Sequence, residues 1–494
     1  DSGEANAFRL SKTPAFDELF TRYPWSRLDA SGEAVGLPPG VIGNSEVGHM
    51  TISAGRIIKQ DLVRINGAIE DGSFTRIPEL QNVMAHVRKK ASTLHLLGLI
   101  SDGGVHSHID HLIALLRLAK TEGVGSVCLH AVTDGRDTPP AAGIQYVRRT
   151  TRVMEEVGVG TISTVVGRYY AMDRDKRWDR TERAYRAFVA GECQQFPDPE
   201  SAVQSSYDEN VTDEFVMPRA IPDGEGRLYR IEENDALLCF NFRADRMRQI
   251  TRALGGKTFG EFPRLMEPVL TTTMTSYEDS FAFPVVFKPI SLDHILPQIL
   301  EEQGYRQLRL AETEKYAHVT YFFNGGDETA FPREDRILVP SPKVSTYDQQ
   351  PEMSAPGVKQ RAIDAIVSGE YDCIIMNIAN PDMVGHTGNL QAAIDATEVA
   401  DSVVGEVVAA TGEAGAVAFV TSDHGNVEIM MDTETGEIHT AHSLNPVPFI
   451  VIDSGDSPTL QKRGGLTDVA PTILDFLGIP VPDAMTGRSL LGKS

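Results

Sequence analysis

The sequence predicts an α/β protein of two domains, one discontinuous and built from both chain ends, the other inserted between them. Three observations carry this. Apolar runs bounded by turn residues recur with amphipathic stretches between them, the alternation expected of mostly parallel sheets. The 494 residues suffice for two or three domains of ordinary size. Residues 60–74, polar and Gly-containing, and 277–289, rich in Phe and Pro, have the composition of connecting segments.

The predicted strands run from Leu94 to Ile100, Val127 to Val132, Thr161 to Val166, Ala236 to Phe240, Cys373 to Ile378 and Ala416 to Val420. Asp110 to Ala119 and Leu390 to Val408 carry apolar residues at helical spacing, the second with Ala and Val on one face and acidic residues opposite. Cutting at the two connecting segments gives residues 1–60 and 290–494 as one domain and 61–289 as the insert, within the usual domain range. No internal repeat or low-complexity tract appears.

Lys+Arg 46 against Asp+Glu 69 gives a net charge of -23, spread along the chain. This disfavours a general nucleic-acid or anionic-membrane binder, so any anionic ligand must meet a local cluster of Arg or Lys. No apolar run approaches the roughly 18 to 20 residues that cross a bilayer. The four cysteines, Cys128, Cys193, Cys239 and Cys373, are far apart without CxxC pairing, which argues against disulfides and thiolate metal sites and for a reducing compartment.

The densest chemistry lies near the C-terminus. After the run ending at Ile378 come Asp382 and His386, and after Val420 come adjacent Asp423 and His424; His442 follows on a loop. Carboxylates and imidazoles past strand C-termini stand where open α/β sheets bind ligands. Their donor set suits a borderline divalent ion such as Mn, Zn or Fe. Singly, each is a surface turn; together they read as a metal site, with His439 exposed or outside the ligand set.

Gly-Asn-Ser-Glu-Val-Gly-His, residues 43–49, puts Ser45 between a flexible Gly and a short helix. Either Asn44 or Ser45 merely caps that helix, or Ser45 is a nucleophile whose hydroxyl a metal acidifies while helix-start N–H groups receive a phosphate. In the insert, four successive strand ends carry His106, Arg136 with Asp137, Arg168 with Arg174, and Arg243 with Arg246. One Arg could be a surface ion pair; their repetition on one edge of an acidic protein points to bidentate binding of phosphate or carboxylate. Of His106, His108 and His111, one is expected to face the site, the others to cap or lie on a helix.

The ordered motifs, from Glu4-Ala-Asn-Ala through Ala30-Ser-Gly-Glu-Ala-Val-Gly-Leu-Pro and Gly43-Asn-Ser-Glu-Val-Gly-His to Thr486-Gly-Arg-Ser-Leu, resemble the 2,3-bisphosphoglycerate-independent phosphoglycerate mutases of the alkaline phosphatase superfamily over nearly the whole chain. The resemblance implies an alkaline-phosphatase-like doubly wound sheet domain from both chain ends and an inserted α/β phosphotransferase domain. It implies a phosphorylated Ser45, one metal on Asp382, His386 and His442, and another on Asp423, His424 and Ser45. Phosphoglycerate would be bound by His106, Arg136, Asp137, Arg168, Arg174, Arg243, Arg246 and Lys315; without the resemblance Lys315 reads as a strand-edge salt bridge. In the family a first strand ends in Asp-Gly shortly before the segment matching Asp1, and that Asp ligates the second metal. The expectation is a longer product that carries this strand; a polypeptide without it would have an incomplete site.

The implied reaction interconverts 3-phosphoglycerate and 2-phosphoglycerate, in glycolysis and gluconeogenesis, by two in-line transfers through Ser45. Asp137 would move protons with His106 nearby, the Arg cluster would hold the glycerate carboxylate, and domain closure would exclude water. Two divalent ions, Mn²⁺ foremost, and no 2,3-bisphosphoglycerate are expected, in a cytoplasmic monomer without nucleic-acid or membrane partners. The alternatives are a metal-dependent phosphohydrolase or another phosphomutase of the superfamily, and a non-catalytic phosphometabolite-binding fragment.

Overall fold

The computed structural model describes residues 5–290, 292–432, 435–453, 455 and 458–492. Asp1 to Glu4, where the resemblance begins, lie outside them. The chain forms two compact units, one of residues up to Gln60 with those from 291 onward, the other Asp61–Ile290.

The second unit is built on an eight-stranded sheet. In spatial order its strands are Gln194–Gln195, Arg219–Ala220, Thr161–Gly167, Val127–Thr133, Leu94–Leu99, Ala236–Cys239, Leu270–Thr275 and Val285–Phe287. All pairings are parallel except that between Thr161–Gly167 and Arg219–Ala220. The two central strands are buried at every position, as expected where helices cover both faces. Because side chains alternate, Leu94 and Leu96 join one core while Leu97 and Leu99 join the other. Gly98 is required by packing, since a Cβ there would meet the Phe240 ring and Asn241 side chain at 2.7 Å.

The first linker differs from expectation. Asp61–Glu70 is an α-helix, because Leu62, Ile65 and Ile69 share one face and Ile65 is fully buried in the core. The second contains the short edge strand Val285–Phe287, parallel to Leu270–Thr275.

A polar chain crosses the central strands of this unit. Asp235 lies 3.1 Å from His95 Nε2, His95 Nδ1 is 3.0 Å from His130 Nε2, and His130 Nδ1 is 2.8 Å from the Thr164 hydroxyl. Burial, with His95 beside it, holds the His130 pKa well below its ordinary value, and burial pushes His111 down to about 3. Such histidines are neutral in the fold but protonate near 6.5 once unfolded, so the unfolded chain binds more protons below that pH. Their stabilisation is complete above pH 6.5 and is lost on acidification, each contributing a slope of about 1.4 kcal/mol per pH unit. Denaturant midpoints measured from pH 7 to pH 5 should fall accordingly, and His111→Gln should flatten the slope by about one proton. A midpoint independent of pH over that range would contradict this.

The first unit holds two sheets. One is the parallel set Glu334–Val339, Gln307–Glu312 and Cys373–Met376. The other, Ala418–Thr421, Val447–Ile452, Trp25–Asp29 and Arg463–Gly465, is mixed: its first two pairings are antiparallel and only the last is parallel. Cys373–Met376 and Ala418–Thr421 each form an outer strand, partly buried along their length. Leu390–Glu413 is a 24-residue helix whose Ala392, Ala393 and Ala396 pack inward. No helix among the described residues is long and apolar enough to cross a membrane.

Candidate active site

In the first unit the helix Ser45–Ala54 is capped by Asn44, whose side chain accepts from the Val47 N–H at 3.1 Å. Asn44 therefore satisfies the helix start and leaves the neighbouring Ser45 hydroxyl for other partners. Gly48 lets this helix seat on the acid-imidazole strand end, since a Cβ there would meet the Asp423 carbonyl oxygen at 2.5 Å. Ser45 is buried, and its Oγ accepts from Lys315 Nζ at 2.7 Å and lies 2.9 Å from His424 Nε2. Lys315 sits in the short helix Thr313–Ala317, not on a strand edge, and also contacts Asp382 Oδ2.

Asp382, His386 and His442 converge, with one ligand atom from each within 4.8 Å of the others. Asp382 Oδ1 is 3.3 Å from His386 Nε2 and 3.1 Å from His442 Nε2, and the two ring nitrogens are 3.1 Å apart. The opposite nitrogens are committed: His386 Nδ1 donates to the Thr440 carbonyl at 2.8 Å and His442 Nδ1 to the Gly43 carbonyl at 2.7 Å. Each Nε2 lone pair is thereby turned inward beside the carboxylate. Three converging acceptors repel unless a cation or proton stands among them, so this donor set fits a divalent metal ion. Asp423 Oδ2 is buried without a hydrogen bond among the described residues, although His49 Nδ1 lies 3.1 Å away, and it is a further orphaned donor for a cation.

Although burial alone would raise it, the His386 and His442 rings beside it and the Lys315 ammonium hold the Asp382 carboxyl well below the usual carboxylate range. Burial likewise opposes, and His424 and His49 outweigh it, in keeping Asp423 ionised. His439 stands apart from the ligand set, with Nδ1 3.1 Å from the Ile429 carbonyl. Asn426, not singled out from the sequence, donates to Asp382 Oδ1 at 2.7 Å and fixes that carboxylate. Gly385 makes room for it, since a Cβ there would meet Asn426 Oδ1 at 2.6 Å.

In the second unit, consecutive strand ends carry a cationic cradle. Arg168, 2% exposed, binds Asp134 Oδ1 at 2.6 Å and Asp137 Oδ2 at 2.5 Å through the same nitrogen, Nη1. His106 Nε2 lies 3.8 Å from Asp137 Oδ2, and its Nδ1 lies 3.7 Å from Asp245 Oδ1. Asp245 gathers Arg174 at 2.8 Å and Arg243 at 3.2 Å. Arg246 donates to the Met172 carbonyl at 3.2 Å and Arg136 pairs with Glu214 at 3.3 Å. Arg136, Arg174 and Arg243 are about half exposed, so their pairings are weak and can be exchanged for a ligand oxyanion. Burial, then Arg168, pushes the His106 pKa down to about 4, so it is a neutral imidazole at pH 7.

His108 caps the helix Ile109–Thr121 by accepting from the Asp110 N–H at 3.2 Å, and buried His111 bonds Asn66 at 2.8 Å. Neither joins the cradle. Asp134 and Asp245 were not read from the sequence as site residues, although Asp134 lies within Thr-Asp-Gly-Arg-Asp and Asp245 within Asn-Phe-Arg-Ala-Asp-Arg.

Residues 65–279 match the family model described as BPG-independent PGAM N-terminus. A 2,3-bisphosphoglycerate-independent phosphoglycerate mutase from Moorella thermoacetica is 50% identical over 493 residues, 99% of this chain and 96% of its own. One from Methanosarcina barkeri is 49% identical over 496 residues, 100% of this chain and 96% of its own. A crystal structure of Leishmania mexicana phosphoglycerate mutase at low cobalt concentration matches with a TM-score of 0.69 and 31% identity, covering 99% of this chain and 95% of that one.

Proposed function

This chain belongs to the 2,3-bisphosphoglycerate-independent phosphoglycerate mutases, isomerases that interconvert 3-phosphoglycerate and 2-phosphoglycerate in glycolysis and gluconeogenesis, and from that premise we propose that it passes the phosphoryl group through Ser45 beside two divalent ions. The observation that carries this reading is the Ser45 hydroxyl held between Lys315 Nζ and His424 Nε2, next to the converging Asp382, His386 and His442. The family is metal-dependent and does not use 2,3-bisphosphoglycerate. Asp382, His386 and His442 would hold one ion, and Asp423, His424 and Ser45 the other. We assign Mn²⁺; the carboxylate-imidazole set suits a borderline divalent ion, and the Leishmania mexicana relative was solved with cobalt. Such ions, when bound, neutralise charge on a transferring phosphoryl group and acidify a nearby hydroxyl.

The chain's own groups do the rest. Lys315 donates to Ser45 Oγ and stabilises negative charge on that oxygen. Asp137 supplies a proton to the glycerate oxygen that loses the phosphoryl group and takes one back from the hydroxyl that then receives it, with neutral His106 beside it. Arg168, Arg174, Arg243, Arg246 and Arg136 bind the carboxylate and hydroxyl oxygens, keeping the glycerate bound while Ser45 carries the phosphoryl group. We further propose a cytoplasmic monomer without nucleic-acid or membrane partners, in keeping with its net charge of -23.

The test is to quench the Mn²⁺-loaded enzyme in acid during turnover of 3-phosphoglycerate and to sequence its peptides by mass spectrometry. Phosphoserine at position 45 is expected. A phosphoryl group on another residue, or none at any quench time, would contradict the proposal.

A further inference from the structure

We propose that Asp134 is the positioning residue of the phosphoglycerate cradle, acting through Arg168 without touching substrate. The inference rests on the reading of the cradle given above and adds to it a residue and a reason for the orientation of Arg168.

Asp134 follows the strand Val127–Thr133 and is 2% exposed. Its Oδ1 accepts from the Arg136 N–H at 3.2 Å, the Asp137 N–H at 3.0 Å and Arg168 Nη1 at 2.6 Å. Its Oδ2 accepts from the Ser101 hydroxyl at 2.8 Å. Ser101 stands just beyond the strand Leu94–Leu99, and Arg168 directly follows Thr161–Gly167. One carboxylate thus ties three adjacent strand ends, and it sets the turn that carries Arg136 and Asp137. Gly135, at φ +68, supplies the left-handed step in that turn, and a Cβ there would also meet Asp213 and Glu214 at 2.8 Å.

The way Arg168 is held gives the arrangement its use. Both anchoring carboxylates take Nη1, while Nε is buried with no partner among the described residues. A guanidinium binds an oxyanion in two parallel bonds along one edge. Anchoring at Nη1 reserves the Nε and Nη2 edge for such a pair, and the orphaned Nε–H is a donor that only a ligand or water can satisfy. The two anchors are not equivalent. Asp137, assigned to proton movement, is partly exposed, whereas the Asp134 side chain is 1% exposed and has every oxygen engaged. When Asp137 is protonated or turns to the substrate, Asp134 alone keeps Arg168 in place.

The test is steady-state kinetics of the metal-loaded full chain and its Asp134→Asn, Arg168→Ala and doubly substituted forms. Asp134→Asn keeps the size and one acceptor but removes the charge, and it should raise KM for 3-phosphoglycerate by about tenfold or more with a smaller fall in kcat. Placed on Arg168→Ala it should cost clearly less than it does alone, because the route through Arg168 is already gone and only the turn carrying Arg136 and Asp137 remains to be disturbed. Ser101→Ala, which removes one donor from Oδ2, should raise KM more modestly and stands in if Asp134→Asn does not fold. Unchanged KM in the soluble Asp134 and Ser101 variants, or penalties that multiply in the double variant, would overturn the inference. Unchanged KM in Arg168→Ala would instead overturn the cradle reading, and this inference with it.

Discussion

Ser45→Ala should lower kcat by at least about 10⁴-fold while leaving the fold in place. The helix start does not depend on the lost hydroxyl, because Asn44 supplies the cap. Nor do Asp382, His386 and His442 bond to it, so at least one metal should still bind. What disappears is the oxygen to which Lys315 Nζ donates and which lies 2.9 Å from His424 Nε2. Among the described residues Lys315 then keeps Asp382 as its hydrogen-bond partner, and no oxygen stands where the phosphoryl group would be received. The measurement is conversion of 3-phosphoglycerate, followed by removal of 2-phosphoglycerate in a linked assay, beside thermal unfolding of both proteins. Turnover within tenfold of the parent at equal stability would place the nucleophile elsewhere.

Removing the divalent ions should abolish turnover just as completely, and adding Mn²⁺ should restore it. With both Nδ1 atoms donating to backbone carbonyls, His386 and His442 turn their Nε2 lone pairs on Asp382 Oδ1. A chelated enzyme must accept a proton into that cluster or let it open. His442→Ala deletes one of the three ligands and should weaken the bound metal by about 10 to 100-fold or more. Metal content after equilibrium dialysis, by mass spectrometry, reads this without reference to activity. An enzyme that turns over fully with no metal detected, or a His442→Ala variant that retains metal as tightly as the parent, would contradict the assignment.

Some of this was legible in the residues. Residues 94–100 and 127–132 read as buried strands because, His95 and His130 aside, their positions are apolar, and the structure buries both strands at every position. The strand ends could be located, so the charged and imidazole residues just beyond them could be named. The competing readings of Asn44 and Ser45 could not be separated, since capping and nucleophilic roles use the same residue types; in the structure Asn44 makes the cap and the Ser45 hydroxyl faces Lys315 and His424 instead. Asp61–Glu70 was hidden because its polar residues mask a face of only a few apolar ones. The mixed sheet was hidden because the strand Val447–Ile452 pairs with Ala418–Thr421 and Trp25–Asp29 across long sequence gaps, in directions that periodicity does not encode. Asp134, Asp245 and Asn426 escaped notice for a related reason. Their importance lies in hydrogen bonds made across neighbouring strand ends and loops, which no local spacing announces.

The most direct test of the metal-assisted Ser45 reading is anomalous diffraction from crystals of this chain grown with Mn²⁺. The reading predicts a strong peak coordinated by Asp382, His386 and His442, at distances of about 2.0 to 2.3 Å from the nitrogens and oxygen. Peaks bound only by other residues, with these three side chains left free of metal, would contradict it.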